Sequence, residues 1–220
     1  MEREFRITAD GSHTLFIPGL KEPYHSMNGA LTESKHIFIR GGLDFMDPGP
    51  VSILEFGFGT GLNALLTAIE AAKRKCNIRY TTLEKYPLGP DEVRGLNYPG
   101  LLGEGASELF TAIHEAPWEE EVALGEYFTL RKLRCDFRQP EAFPPTDLVY
   151  FDAFAPDVQP ALWSDDLFVR IAAGMRPGAV LVTYSAKGSV KRSLQAAGFH
   201  VQKLPGPPGK REMIRAVRSE

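Results

Sequence analysis

A chain of 220 residues with 43% hydrophobic and 24% charged residues has the composition of a folded globular protein and the length of one domain. Its formal net charge of −3 excludes a protein that grips nucleic acid by overall charge, so any such partner needs a local basic patch. Two cysteines, Cys76 and Cys135, exclude a disulfide scaffold, no apolar run approaches a bilayer span, and residues 1–5 lack a signal-peptide core. The expectation is a cytoplasmic chain with reduced thiols and no membrane contact. No metal is expected, because His13, His25, His36, His114 and His200 form no close ligand pair with one another or with cysteine.

Residues 4–17 predict a hairpin. Phe5, Ile7 and Ala9 alternate, Asp10-Gly11 offers a two-residue turn, and Leu15 and Ile17 follow. Pro18, Gly19 and Pro23 end it. A helix is expected from about Ala30, with Asn28 as its cap. A loop rich in Gly, Asp and Pro spans 41–50. This extension, 1–50, is either decoration or a lid beside a ligand. It belongs to a single domain, 1–220, whose core is 51–220.

The core opens with an apolar run over 51–56, of a length that suits a buried strand. Gly57, Gly59 and Gly61 follow, and then Leu62, Ala64, Leu65, Leu66, Ala68 and Ile69 at helical spacing. Strand, glycine turn and helix open a nucleotide-binding α/β unit: glycine lets backbone approach a ligand, and the helix start offers free N–H groups. A dinucleotide fingerprint requires glycine where Leu62 stands, which disfavours NAD. The pattern is instead Glu55-x-Gly57-x-Gly59-x-Gly61. It resembles the first motif of S-adenosylmethionine-dependent methyltransferases.

A second strand is predicted over 77–83. Glu84 at its end is placed to accept hydrogen bonds from ribose hydroxyls, unless it is only a solvated strand-end charge. A short helix over 87–96 and an acidic stretch of short helices and loops over 97–126 come next, with Trp118 as a core residue. A third strand covers 127–135. Asp136 after it either accepts from an adenine amino group or merely shapes the turn. The apolar strand 147–151 ends in Asp152-Ala-Phe154-Ala-Pro156, at the sheet edge where open α/β folds bind ligands. A helix capped by Ser164 runs to Gly174, a strand covers 179–184 and a helix covers 188–197. Residues 199–204 and 212–217 close the chain as an antiparallel hairpin.

These stretches, taken in order, resemble the methyltransferase part of the MnmC family of bacterial tRNA wobble-uridine modification enzymes. The resemblance is carried by Leu31-Thr-Glu-Ser-Lys-His-Ile-Phe38, Glu55-Phe-Gly-Phe-Gly-Thr-Gly-Leu-Asn63 and Glu84-Lys-Tyr-Pro-Leu88. It continues in Phe151-Asp-Ala-Phe-Ala-Pro156, Pro160-Ala-Leu-Trp163, Arg176-Pro-Gly178 and Lys210-Arg-Glu-Met213. It implies a Rossmann-like, mostly parallel seven-stranded sheet with one antiparallel strand near its edge. It also implies methylation of the amine of 5-aminomethyluridine in the tRNA anticodon loop, with S-adenosylmethionine as cofactor. Glu33, Glu55, Thr60, Asn63 and Lys85 then join Gly57, Gly59, Gly61, Glu84, Asp136 and Asp152 as cofactor-binding candidates. Full-length MnmC also carries an FAD domain. One glycine-rich turn is present here and already assigned, so no FAD is expected, and a separate flavoprotein or modification enzyme would supply the amine.

The sulfonium methyl is already activated, so the chemistry asks mainly for alignment and exclusion of water. Asp152 is expected to orient the amine, whether or not it takes a proton, with Phe154 and Pro156 shaping the pocket. For tRNA, Lys187, Lys210 and Arg211 are the leading contacts. They belong to a segment with eight basic residues between Lys187 and Arg218 against one acid, Glu212. A small-molecule methyltransferase would keep the cofactor motifs without such a surface. A non-catalytic cofactor-binding module would keep the glycines and lose the pocket.

Overall fold

A computed structural model describes residues 2–139 and 142–219. The first hairpin forms as β1 (Glu4–Ile7) and β2 (His13–Ile17), and a third strand, β3 (Glu22–Pro23), joins β2. The turn is longer than the Asp10-Gly11 dipeptide predicts. The last cross-strand pair is Ile7 with His13, and Thr8 N–H bonds the Ser12 carbonyl across the loop at 2.9 Å. Asp10 explains the difference. Its carboxylate accepts from the Thr8 hydroxyl, the Ser12 amide and hydroxyl, and the Thr32 amide and hydroxyl. Those five donors hold it well below the ordinary carboxylate range despite partial burial.

Helix α1 (Ala30–Ser34) starts where periodicity places it, but Gly29, not Asn28, stands at its N-cap. The Thr32 amide is instead capped at 2.8 Å by Asp10 from the first hairpin. The chain then widens into a π-helical turn, Lys35–Arg40, and a short 3-10 turn, Leu43–Phe45. That turn positions Phe38 against Tyr150 with ring centroids 5.1 Å apart.

The main sheet follows from β4 (Val51–Phe56), α2 (Leu62–Arg74), β5 (Ile78–Leu83), α3 (Pro90–Arg94), α4 (Tyr98–Leu102), α5 (Ala106–Glu115) and β6 (Glu121–Ala123). It is completed by β7 (Phe128–Leu133), β8 (Thr146–Phe151), α6 (Asp165–Gly174), β9 (Met175–Thr183), α7 (Gly188–Ala196), β10 (Phe199–Pro205) and β11 (Glu212–Arg218). Strand order is β10-β11-β9-β8-β4-β5-β7-β6. β4 sits centrally, parallel to β5 and β8, and β11 runs antiparallel to both β9 and β10. The expected seven strands gain an eighth, β6, antiparallel to β7 in the stretch read as helices and loops. Three residues, two of them exposed, are too few to show a periodicity among the surrounding glutamates.

Side-chain alternation builds a core on each sheet face. Leu148 and Tyr150 join α2, α5 and the π-helical turn on one face. Val149 and Phe151 join α6 and α7 on the other. Phe151 is fully buried, with the Phe56, Trp163 and Phe168 rings 5.2, 4.9 and 5.1 Å away. Removing such a ring costs about 3–5 kcal/mol. Ser164 caps α6 as expected, its hydroxyl accepting from the Leu167 amide. Helix α5 is closed by Lys132 of β7, whose buried ammonium donates to the Ile113 and His114 carbonyls at 2.9 and 2.7 Å. Burial lowers that lysine to about 8. Trp118, expected in the core, packs beside it with its ring 4.9 Å from the ammonium.

Candidate active site

The C-terminal ends of β4, β5, β8 and β9 open into a cavity of about 560 Å³, roofed by the N-terminal extension. Its floor is the glycine turn. Gly57 has φ of 98°, and a Cβ there would stand 2.6 Å from the Asp152 carbonyl oxygen, closer than real atoms approach. Gly59 has φ of 52°, with Tyr24 of the extension 3.2 Å from any added Cβ. These two glycines let β4, β8 and the roof close on one another while leaving backbone exposed to the cavity. Gly61 plays another part. It caps α2, and an added Cβ would meet His114 Nε2 at 2.8 Å, so it packs the turn on α5 outside the cavity lining.

Five carboxylates, Glu22, Glu33, Glu84, Asp136 and Asp152, line the cavity. Glu84 accepts from the Gly59 amide at 3.0 Å and the Tyr86 amide at 2.8 Å, so it braces the glycine turn. Asp136 accepts from Arg138 Nε and Nη2, at 2.9 and 2.6 Å, and from Lys85 at 3.0 Å. The Arg138 bonds, with Lys85 assisting, hold it well below the usual carboxylate range. Glu33 accepts from the Ser26 amide at 2.7 Å and pairs with Lys210 at 2.6 Å, while the Lys210 ammonium lies 3.9 Å from the Tyr184 ring centre.

Asp152 is half-buried at the end of β8 and accepts from the Asn63 amide at 2.9 Å. Burial pushes its carboxyl up to about 7, and Glu33 adds to the rise. The Asn63 bond and Lys210 oppose it. The loop beyond is pinned from below. Trp163 Nε1 donates to the Phe154 carbonyl and the Tyr184 hydroxyl to the Ala153 carbonyl, both at 2.8 Å. Phe154 meets Tyr24 edge-on, with ring centroids 5.1 Å apart, and the Tyr24 hydroxyl accepts from Arg3 at 2.9 Å. Glu22, Pro23, Tyr24, His25 and Ser26 all line the cavity, so the extension forms its wall. His25 bonds Thr14 at 3.1 Å, and burial lowers it to about 4.

The structure therefore gathers Glu33, Gly57, Gly59, Thr60, Asn63, Glu84, Lys85, Asp136, Asp152, Phe154 and Lys210 around one cavity. Glu55, Gly61, Pro156, Lys187 and Arg211 lie outside its lining. Glu55 is fully buried beneath it. Lys187, at the N-cap of α7, is paired with Asp157. Arg211 is exposed on the loop between β10 and β11. Tyr24, Tyr184 and Arg138 are cavity residues that sequence reasoning missed. For Tyr184 a signal existed: it directly follows β9, at the same sheet edge as Asp152.

Residues 113–219 match a family model described as S-adenosyl-L-methionine-dependent methyltransferase. MnmC2 from Aquifex aeolicus superimposes with a TM-score of 0.80 at 30% identity, covering 98% of this chain and 69% of that one. The chain belongs to the MnmC2 family. It is also 32% identical to the tRNA 5-methylaminomethyl-2-thiouridine biosynthesis bifunctional protein MnmC of Cupriavidus metallidurans and 33% identical to that of Pseudomonas syringae. Those alignments cover 92% and 88% of this chain, which spans about a third of either relative, 32% and 31%.

The cavity of this MnmC2-family chain fits S-adenosylmethionine. At Gly57 the Asp152 carbonyl leaves no room for a Cβ, and the backbone of the glycine turn is left bare along the cavity wall. Glu84, at the end of β5, and Asp136, after β7, line the cavity at the C-terminal sheet edge, with Lys85 and Arg138 bonded to Asp136. Among the described residues no cluster of three or more His, Cys, Asp or Glu is arranged to hold a metal ion. No described helix is long and apolar enough to cross a membrane.

Proposed function

We propose that this methyltransferase acts on the primary amine of a 5-aminomethyl group on the wobble uridine of tRNA, giving the 5-methylaminomethyl form. The observation that carries the reading is Asp152, which shares one cavity with the glycine cradle and whose carboxyl titrates near neutrality. Bound S-adenosylmethionine supplies an activated methyl group. The chain's own part is to present an unprotonated amine to it. A primary alkylamine is protonated at neutral pH, as lysine is. An Asp152 carboxylate can hold such an ammonium and take its proton, a transfer helped by a carboxyl poised near the operating pH. Phe154 and Tyr24 close the cavity side and exclude water. In cells lacking the protein, mass spectrometry of wobble nucleosides should show aminomethyluridine accumulating in place of its methylated form. An unchanged nucleoside profile would refute the assignment.

The amine would come from an oxidative step elsewhere, since cleaving a carboxymethyl group from nitrogen requires an electron acceptor. For tRNA, Arg211 and Lys191 are the candidates: both act on Glu212, whose carboxylate is pulled below its ordinary range chiefly by Lys203. Arg211→Ala with Lys191→Ala is expected to weaken tRNA binding and reduce the slope of log affinity against log salt by about 1–2. Filter binding across a salt series checks it. Lys210 is less suited to this role than its sequence neighbourhood suggests, because its ammonium is occupied by Glu33 and Tyr184.

A further inference from the structure

Beneath Asp152 lies a polar cluster that the proposed chemistry has not used. Glu55, in the middle of the sheet, is fully buried and pairs in register with Thr82 of β5 and Tyr150 of β8. Its Oε2 accepts from the Thr82 hydroxyl at 2.6 Å. Its Oε1 has no hydrogen-bond partner, and neither do the buried Asn63 Oδ1 and Tyr80 hydroxyl. The Asn63 side chain and the Tyr80 phenol both act on the Glu55 carboxyl, and the Asn63 amide donates to Asp152 at 2.9 Å. Asn63 thus stands between two carboxyl groups, one sealed in the core and one at the cavity floor.

Among the described residues no cation acts on Glu55. The titratable groups around it are Asp152 after β8, Tyr80 of β5 and Tyr150 of β8, none of which offers positive charge. Asp152, by contrast, has Lys210 from the β10–β11 loop opposing Glu33 of α1, with Tyr184 alongside. A buried charge without a partner is costly, and two neighbouring carboxylates in a poorly solvated site cannot both ionise cheaply. We propose that Glu55 works as a neutral carboxylic acid, a positioning residue that fixes Asn63 so that the single negative charge of the pair resides on Asp152. Burial raises both carboxyls, Glu55 to about 8 and Asp152 to about 7. In this view the acidic residue ahead of the glycine turn serves the base and touches no cofactor.

The proposal rests on the reading of Asp152 as the base, and one test is independent of that reading. The carbon-13 resonance of the Asp152 carboxyl is followed by NMR against pH in the wild type, Glu55→Gln and Glu55→Ala. Glutamine is a neutral isostere whose amide oxygen can still accept from Thr82. If Glu55 is already neutral when Asp152 ionises, Glu55→Gln leaves the Asp152 midpoint within about half a pH unit. Glu55→Ala releases Asn63 and raises it by roughly one unit. If Glu55 carries the charge first, Glu55→Gln removes a neighbouring anion and the midpoint falls by more than a unit, which overturns the proposal. Methyl transfer adds a second readout. Glu55→Gln should retain the rate within about threefold at neutral pH, and Glu55→Ala should lose on the order of tenfold or more. Calorimetry should give the same S-adenosylmethionine affinity for wild type and Glu55→Gln, and loss of binding in Glu55→Gln would make Glu55 a cofactor ligand and refute the proposal. An inactive wild type with the expected NMR midpoints would count against the substrate reading and leave the Glu55 assignment standing.

Discussion

Asp152→Asn is expected to lower methyl transfer to aminomethyl-tRNA by about a hundredfold or more while S-adenosylmethionine affinity changes only a few-fold. Asparagine keeps the shape at the end of β8 and can still meet Asn63, but it can neither hold an ammonium by charge nor take its proton. The wild-type rate should rise with pH through about 7, because the carboxyl must be ionised to act. The variant should lose that limb. Single-turnover kinetics across the pH range check both points, and an unchanged rate would reduce Asp152 to a structural role. Stability carries the opposite sign. Asp152 and Glu55 both titrate above the ordinary carboxylate range, so the folded state holds protons that the unfolded state has released. Their contribution is complete below the ordinary carboxylate range and is lost as pH rises through about 7 and about 8. Glu55→Gln should therefore gain on wild type in thermal stability as pH is raised from about 5 to 8.

Gly57→Ala should have the largest effect on cofactor binding. The clash at 2.6 Å is with the Asp152 backbone carbonyl, not with the tip of a flexible side chain, so β4 and β8 must move apart where the site is built. The residue also sits at φ of 98°, which an L side chain rarely adopts. Strain of this kind costs on the order of 1–3 kcal/mol before the clash is counted. For a chain of this size each kcal/mol lowers the melting temperature by about 2–4 °C. Thermal melting should show a drop of roughly 5–10 °C, and added S-adenosylmethionine should stabilise the wild type but not the variant. A normal ligand-induced shift in Gly57→Ala would mean that the cradle is not the binding surface.

Much of this site was legible because it is local. Strand, glycine turn and helix over residues 51–74, and the apolar strand ending in Asp152, announce themselves in consecutive residues, and the sheet-edge rule brings them together. What was hidden depends on contacts between distant segments. Glu33 is one charged residue on a short helix until the fold sets Lys210 against it. Asp10 looks like a turn residue and instead caps α1. Tyr24 carries no periodic signal and becomes cavity wall only because the first sheet folds over Gly59. Glu55 was legible by position and not by role. Spacing marks it as the acid of a cofactor motif, and only the fold shows it completely buried outside the cavity lining.

The most direct measurement is methyl transfer by the purified protein from radiolabelled S-adenosylmethionine to two otherwise identical tRNA pools, followed by nucleoside mass spectrometry. One pool bears 5-aminomethyluridine at the wobble position and the other bears unmodified uridine. The account predicts label in the first pool alone, recovered as 5-methylaminomethyluridine, and abolished by Asp152→Asn. Label distributed equally between the pools, or none in the first, would contradict it.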